Sequence, residues 1–227
     1  MDFAFCFDGS LQVRLDGGAG FQLDGASFIG NFDTPYEITL TSQISILHVR
    51  FKAGGIYPLT KVPLANILNG ELPIKDLINQ GAYDVYQEMG EARTFESKVK
   101  ILEAYLCKIY RSSDINYRLN QAINTIQQKK GILNIRDLSY ELNTNYKSLE
   151  RWFKAKVGLT PKKFSSITRF KNIVEDIDSK RVSSWMDLVV DYGFHDQSHF
   201  IKSFEEFSGL TPEVYLRKNQ VSIFYNE

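Results

Sequence analysis

Five polar side chains between Tyr146 and Lys154 recur at a spacing that gathers them on one side of a helix. Tyr146, Lys147, Glu150, Arg151 and Lys154 fall at i, i+3/i+4 and i+7/i+8, while Leu149, Trp152, Phe153 and Val157 form an opposite stripe that should face a core. An arginine held this way can donate two parallel hydrogen bonds to O6 and N7 of guanine, worth about 1–3 kcal/mol of discrimination between bases. Lys147 can do the same or grip phosphate. Glu150 can accept from a cytosine amino group, or orient Arg151. Tyr146, Lys154, Lys156, Lys162 and Lys163 suit phosphate contacts, which position a protein without specifying a sequence. The bland alternative for such a face is a solvated helix surface, and charge argues against it. Residues 130–171 hold 10 Lys/Arg against 3 Asp/Glu, whereas residues 1–113 hold 10 against 13 and residues 174–219 hold 5 against 9. The chain is neutral overall, so the positive field that phosphate attracts is confined to this one region.

These residues need a scaffold, and the sequence repeats one. Ile135 to Phe164 is followed about fifty residues later by a second copy of its plan, Trp185 to Tyr215. Asp137-Leu138 matches Asp187-Leu188 at an offset of 50, and Gly158-Leu159-Thr160-Pro161 matches Gly209-Leu210-Thr211-Pro212 at an offset of 51. Two copies are too few for a solenoid, and suggest a pair of similar modules. In the first, Ile135, Leu138 and Leu142 predict one short helix, and Asn143-Thr144-Asn145 supplies turn and N-cap chemistry. The second helix then runs from about Asn145 to Val157, with Gly158 at its C′ position and Thr160-Pro161 opening a third. The second copy repeats this with Leu188, Val189, a Tyr192-Gly193-Phe194 turn, then Phe200, Phe204 and Phe207. Two short helices across such a turn form a helix-turn-helix, whose second helix enters the major groove in its DNA-binding form.

At Leu149-x-Arg151-x-Phe153-Lys154 before Gly158-Leu159-Thr160-Pro161, with Arg169 in the connecting helix, the resemblance becomes specific. The second copy adds Tyr192-Gly193-Phe194, Ser198-His199-Phe200 and Phe204. The segment from about Asp114 to Lys218 resembles the DNA-binding domain of AraC-type (AraC/XylS) transcriptional regulators. The resemblance implies two helix-turn-helix units bridged by one long helix, and a sequence-specific regulator binding double-stranded DNA. In the second unit the reading helix should start near Asp196 and expose Gln197, Ser198 and Lys202. Members of the family often carry basic residues late in this helix, where the present chain has Glu205-Glu206. The first unit is therefore expected to hold most of the affinity. The alternative reading is a ligand-binding or protein-interaction module whose helical half no longer binds DNA effectively.

The N-terminal half reads differently. Asp8-Gly9, Asp16-Gly17 and Asp24-Gly25 are spaced by eight, and Phe3, Phe5, Phe7, then Leu11, Val13, Leu15, alternate between them. Half-buried strands alternate this way, and Asp-Gly favours hairpin turns, so a meander is expected. A calcium loop would need a denser set of oxygen ligands. Further strands are expected at Phe28–Phe32, Tyr36–Leu40 and Ser45–Phe51, followed by short helical pieces broken at Gly54-Gly55, Pro58, Asn69-Gly70 and Pro73. Gly30 to Ile78 resembles an N-terminal domain of uncharacterised role found in a subset of the AraC-type family. Such domains usually have strands before the one at Phe3, so a shortened chain or an incomplete barrel is expected.

Phe95, Val99, Leu102, Leu106 and Ile109 trace a helix over Phe95–Arg111, either packed on its own sheet or pairing two chains. Arg111-Ser112-Ser113-Asp114 marks a boundary. Ile115, Leu119, Ile123 and Ile126 open the next helix, ending at Lys129-Lys130-Gly131. The expected fold class is α+β: residues 1–94 a mostly-β sensor-like domain, 95–113 a linker helix, and 114–227 an all-α double helix-turn-helix domain. A small-molecule effector at the N-terminal domain and a homodimer are the further partners expected.

Catalytic and metal chemistry find little support. His195 and His199 flank Asp196, but His195 falls in the turn and no third ligand lies near in sequence. No nucleophile elbow, phosphate loop or dinucleotide fingerprint is present, so no enzyme and no cofactor are expected. Cys6 and Cys107 lie far apart in apolar surroundings and are expected to be buried, reduced thiols. The first residues lack a signal-peptide pattern and no apolar run approaches membrane-spanning length, so a cytoplasmic protein with no membrane partner is expected.

Overall fold

The computed structural model describes residues 1–40, 43–110, 116–179 and 184–218. The expected boundary at Arg111 to Asp114, and Ile115 after it, lie outside the described residues.

The N-terminal half is built on β1 (Asp2–Asp8), which runs antiparallel to β4 (Ala26–Ile29) on one side and β6 (Ser45–Arg50) on the other. With β7 (Glu71–Pro73) beside β4, the order is β6-β1-β4-β7. A second sheet has the order β3-β2-β5, from β2 (Leu11–Leu15), β3 (Gly20–Leu23) and β5 (Tyr36–Leu40). The alternation seen in the sequence holds, but it sorts two buried faces. Phe3 and Phe5 point into a core shared with helices, whereas Ala4 and Cys6 point at Leu11, Val13 and Leu23 of the other sheet.

That two-sided burial overturns the expected meander. Only Asp16-Gly17 makes a hairpin, between β2 and β3, with Gly17 and Gly18 at φ +98° and +88° and Leu15 N–H donating to the Ala19 carbonyl at 2.7 Å. Asp8-Gly9 and Asp24-Gly25 instead carry the chain from one sheet to the other. A strand buried on both faces needs pairing on both edges, and β4 and β6 supply it from further along the chain.

Two short helices, α1 (Tyr57–Thr60) and α2 (Ile74–Leu77), and the 3-10 turn Leu64–Ile67 lead to α3 (Gln80–Glu91) and α4 (Phe95–Ile109). Leu102 is buried, and Val99 and Leu106 pack against the same core as Phe3 and Phe5, so α4 lies on its own domain. Two expectations fail on this helix. Phe95 is 63% exposed and Cys107 is exposed, leaving only Cys6 as a buried thiol. Cys107 sits off the Leu102 stripe, whereas Phe95 lies on it but at the first residue of α4.

The helical half comprises α5 (Tyr117–Gln128), α6 (Ile135–Glu141), α7 (Tyr146–Lys156), α8 (Pro161–Asp178), α9 (Trp185–Asp191), α10 (Gln197–Ser208) and α11 (Pro212–Lys218). Three of its helices, α7, α8 and α10, start where the sequence placed them, at Asn145, Thr160 and Asp196. Asn145 accepts from Ser148 N–H at 2.9 Å to open α7, and Thr160 accepts from Lys163 N–H at 3.1 Å to open α8 with Pro161 at N1. Ser184 and Asp187 form a capping box on α9, and Asp196 accepts from His199 N–H at 2.8 Å on α10. One continuous core runs from Leu119 through Phe153, Phe170 and Phe200 to Tyr215.

The two halves touch at the end of α7. Asn31 Nδ2 donates to the Val157 carbonyl at 2.8 Å, and Ala53 and Leu68 pack against the helical core. Gly158, at φ +80°, lies so close to the N-terminal half that an added Cβ would sit 3.0 Å from the Leu64 carbonyl oxygen. Gly158→Ala combines a left-handed backbone with that approach, and should lower stability by about 1–3 kcal/mol in denaturant unfolding. Asp196 gives a pH dependence. Hydrogen bonds from the His199 backbone and the His195 ring hold its carboxyl below the ordinary 3.8, so the stability it contributes is present above that value and lost as pH falls through the lower folded-state value. Asp196→Asn keeps a cap that cannot titrate. The melting temperature of the native chain should therefore fall relative to that variant as pH drops below 3.8, and a constant difference would contradict this role.

Candidate nucleic-acid interface

The face expected on α7 is present. Leu149 and Phe153 are fully buried, while Lys147, Arg151 and Lys154 are exposed on the other side. Trp152 packs against the core as expected, though half-buried, whereas Tyr146, expected on the polar face, is also half-buried against that core. Glu150 accepts from Lys154 at 2.8 Å, one turn along, which turns its carboxylate toward that lysine.

The remaining lysines separate into distinct environments. Lys162 is exposed in the first turn of α8. Lys156 holds its ammonium 4.5 Å above the Tyr57 ring of the N-terminal half. Lys163 bonds Glu206 at 2.8 Å and lies 4.5 Å over the Phe207 ring, so one of the two acidic residues of the second unit is partnered by a lysine of the bridging helix. Gln197, Ser198 and Lys202 are all exposed on α10, with Phe200, Phe204 and Phe207 buried on its inner side.

The two units are held in register by α8. Arg169 stacks its guanidinium 4.3 Å from the Phe194 ring and donates to the Tyr192 carbonyl at 3.4 Å, clamping the turn of the second unit. Tyr192 OH donates to Asp176 at 2.6 Å, and Phe170 packs against Phe204 and Phe207 at centroid distances of 5.0 and 5.5 Å. At the far end, Tyr215 OH donates to Asp178 at 3.1 Å; burial and that carboxylate push the phenol up to about 12. Toward the first unit, Ser165 OH donates to the Gly131 carbonyl at 2.9 Å.

Two features escape sequence reasoning. Pro63 and Ala65 of the N-terminal half form the opposite wall of a groove along Lys147, Glu150, Arg151 and Lys154. Asn31, which ties that half to α7, is 126 residues from its partner. No local pattern could announce either, because neither pair shares a helix or a turn. His195 contacts Asp196 at 3.0 Å through Nδ1, and His199 lies edge-on to Phe194. Both histidines thus belong to the N-terminal end of α10. Among the described residues, no group of three His, Cys, Asp or Glu is placed to hold a metal ion, and no helix is long and apolar enough to cross a membrane.

Residues 138–218 match a protein family described as a helix-turn-helix domain. No curated protein matches the chain. Among solved structures, ToxT from Vibrio cholerae in a P21 crystal form is similar over 95% of this chain and 89% of its own, with 13% identity and a TM-score of 0.50. ToxT from Vibrio cholerae O395 gives 14% identity over 98% and 90%, with a TM-score of 0.49. Unsaturated fatty acid bound wild-type ToxT from Vibrio cholerae strain SCE256 gives 15% over 100% and 89%, with a TM-score of 0.48. At these identities the likeness concerns the fold. With two helix-turn-helix units set on one bridging helix, and the family match running through both of them, residues 138–218 form an AraC-type helix-turn-helix domain.

Proposed function

We propose that α7 is the principal reading element and that Arg151 makes its central base contact. The observation that carries this reading is the exposed face of α7, Lys147-Arg151-Lys154, set against a fully buried Leu149 and Phe153. Arg151 addresses guanine and Lys147 a neighbouring base or phosphate. Glu150 acts through Lys154, the partner it already has, which leaves Lys154 and Lys162 as phosphate contacts with Tyr146 at their margin. Lys156 and Lys163 reach phosphate only by leaving Tyr57 and Glu206.

In the second unit Gln197, Ser198 and Lys202 make the lesser base contacts. Glu205, exposed beside Glu206, opposes the phosphate backbone there. The working division is residues 1–94 for sensing, 95–113 for the linker helix and 114–227 for reading DNA. Pro63 and Ala65 stand beside the reading face of α7. A major groove about 12 Å wide admits one helix of about 10–12 Å and no second element. Docking on DNA therefore moves the N-terminal domain away from α7, and a small-molecule effector at that domain governs the movement.

Selection from random duplex DNA supplies the target, and competition between target and random duplex gives the discrimination. Arg151→Ala should lose about 10- to 100-fold of it, and unchanged discrimination would refute the assignment. Glu205→Lys should tighten binding and steepen the dependence of log K on log salt by about 0.9, the value for one added phosphate contact.

A further inference from the structure

We propose that Glu206 is a positioning residue: it holds Lys163 as an internal counter-ion, in the place of the DNA phosphate that this lysine would otherwise bind. The inference rests on the reading of both units as DNA-binding. It concerns how strongly the chain takes the phosphate backbone, and assigns the acidic end of α10 the task of limiting it.

The two charges stand where their own helices disfavour them. Lys163 lies in the first turn of α8, at the positive end of that helix's dipole, and the turn holds no acidic residue. Glu206 lies in the last turn of α10, at the negative end, and that turn holds no basic residue. Across the seam between the units the Lys163 ammonium meets the Glu206 carboxylate at 2.8 Å, over a separation of 43 residues in sequence. Each charge relieves the other. The same ammonium lies 4.5 Å from the centre of the Phe207 ring, which fixes its direction of approach.

The pair also stands beside the reading stripe of the second unit. Ser198, Lys202 and Glu206 fall at i, i+4 and i+8 on α10, and all three are exposed. The Lys163 ammonium is therefore at the far end of the row assigned above to base contacts. A helix lying in the major groove has phosphates along its flanks, so a cation at that place faces DNA as soon as its carboxylate is removed.

Magnitudes separate a structural role from a binding one. The Lys163 side chain is 23% exposed and that of Glu206 57%. A pair so open to water contributes little to folding. The same pair cancels a full positive charge at a DNA-facing edge, where one lysine–phosphate contact adds about 0.9 to the slope of log K against log salt. Glu206 thus matters little to the fold and much to the salt dependence.

The test is a double-mutant cycle on the full chain, with affinity for the selected target duplex measured across a salt series. Glu206→Gln should tighten binding and steepen the slope by about 0.9, so that its advantage over the native chain shrinks about 3.5-fold between 50 and 200 mM salt. In a Lys163→Gln background the same substitution should leave the slope where that background sets it, and in a Lys163→Arg background the steepening should return. Glu205→Gln, which removes a carboxylate that does not hold Lys163, should act alike with and without the lysine. The melting temperature should stay nearly constant on Glu206→Gln. Equal steepening by Glu206→Gln with and without Lys163 would mean simple repulsion of phosphate and overturn the proposal. Binding with a slope that ignores Glu206→Gln would overturn it alone, whereas a native chain that binds no duplex would overturn it together with the reading on which it rests.

Discussion

A single helix serves as the core of two DNA-reading units at once. α8 spans 18 residues, about 27 Å of axis, and must bury one side against the first unit and another against the second. Phe164 and Ile167 face α7 and α5, while Phe170, Ile173 and Ile177 carry the packing onward to the second unit. Polar contacts then fix the angle. Arg169 on Phe194, Tyr192 on Asp176 and Tyr215 on Asp178 each tie the second unit to a defined turn of α8. Two reading helices can address one duplex only if their separation is constant, and a rigid shared helix provides that constancy.

The first and second units share this frame but not its electrostatics. α7 presents Lys147, Arg151 and Lys154 with one carboxylate, Glu150, already bonded to Lys154. α10 presents one lysine and two glutamates, of which Glu206 draws Lys163 away from the first unit's basic field. The charge imbalance counted along the chain therefore becomes a spatial one, with an ion pair at the seam. Positive charge is concentrated on the first unit.

The N-terminal domain meets the reading domain where such a domain has most leverage. Asn31, Leu64 and Tyr57 gather at the C-terminal end of α7, and Pro63 and Ala65 run along its reading face. The contact depends on Gly158 having no side chain. The same glycine therefore closes α7, turns the chain toward α8 and admits the neighbouring domain. The cleft beside it is walled by both halves.

The elements of the helical half were legible in the sequence because their signals are local. Asn145, Thr160 and Asp196 cap helices through their own side chains within three residues, and Gly158 and Gly209 adopt the left-handed turn that ends a helix. The repeated Gly-Leu-Thr-Pro disclosed the paired units for the same reason. The strands were legible too, but their partners were not. Phe3, Phe5 and Phe7 announce an alternating strand without saying that β4 and β6, rather than β2, will flank it, since pairing follows burial on both faces. Likewise the sequence names the basic residues, while only the packed structure decides which are free. Arg151 remains exposed, but Lys163 lies on Phe207 and Lys156 on Tyr57, because rings and carboxylates far along the chain come within reach once the cores have formed.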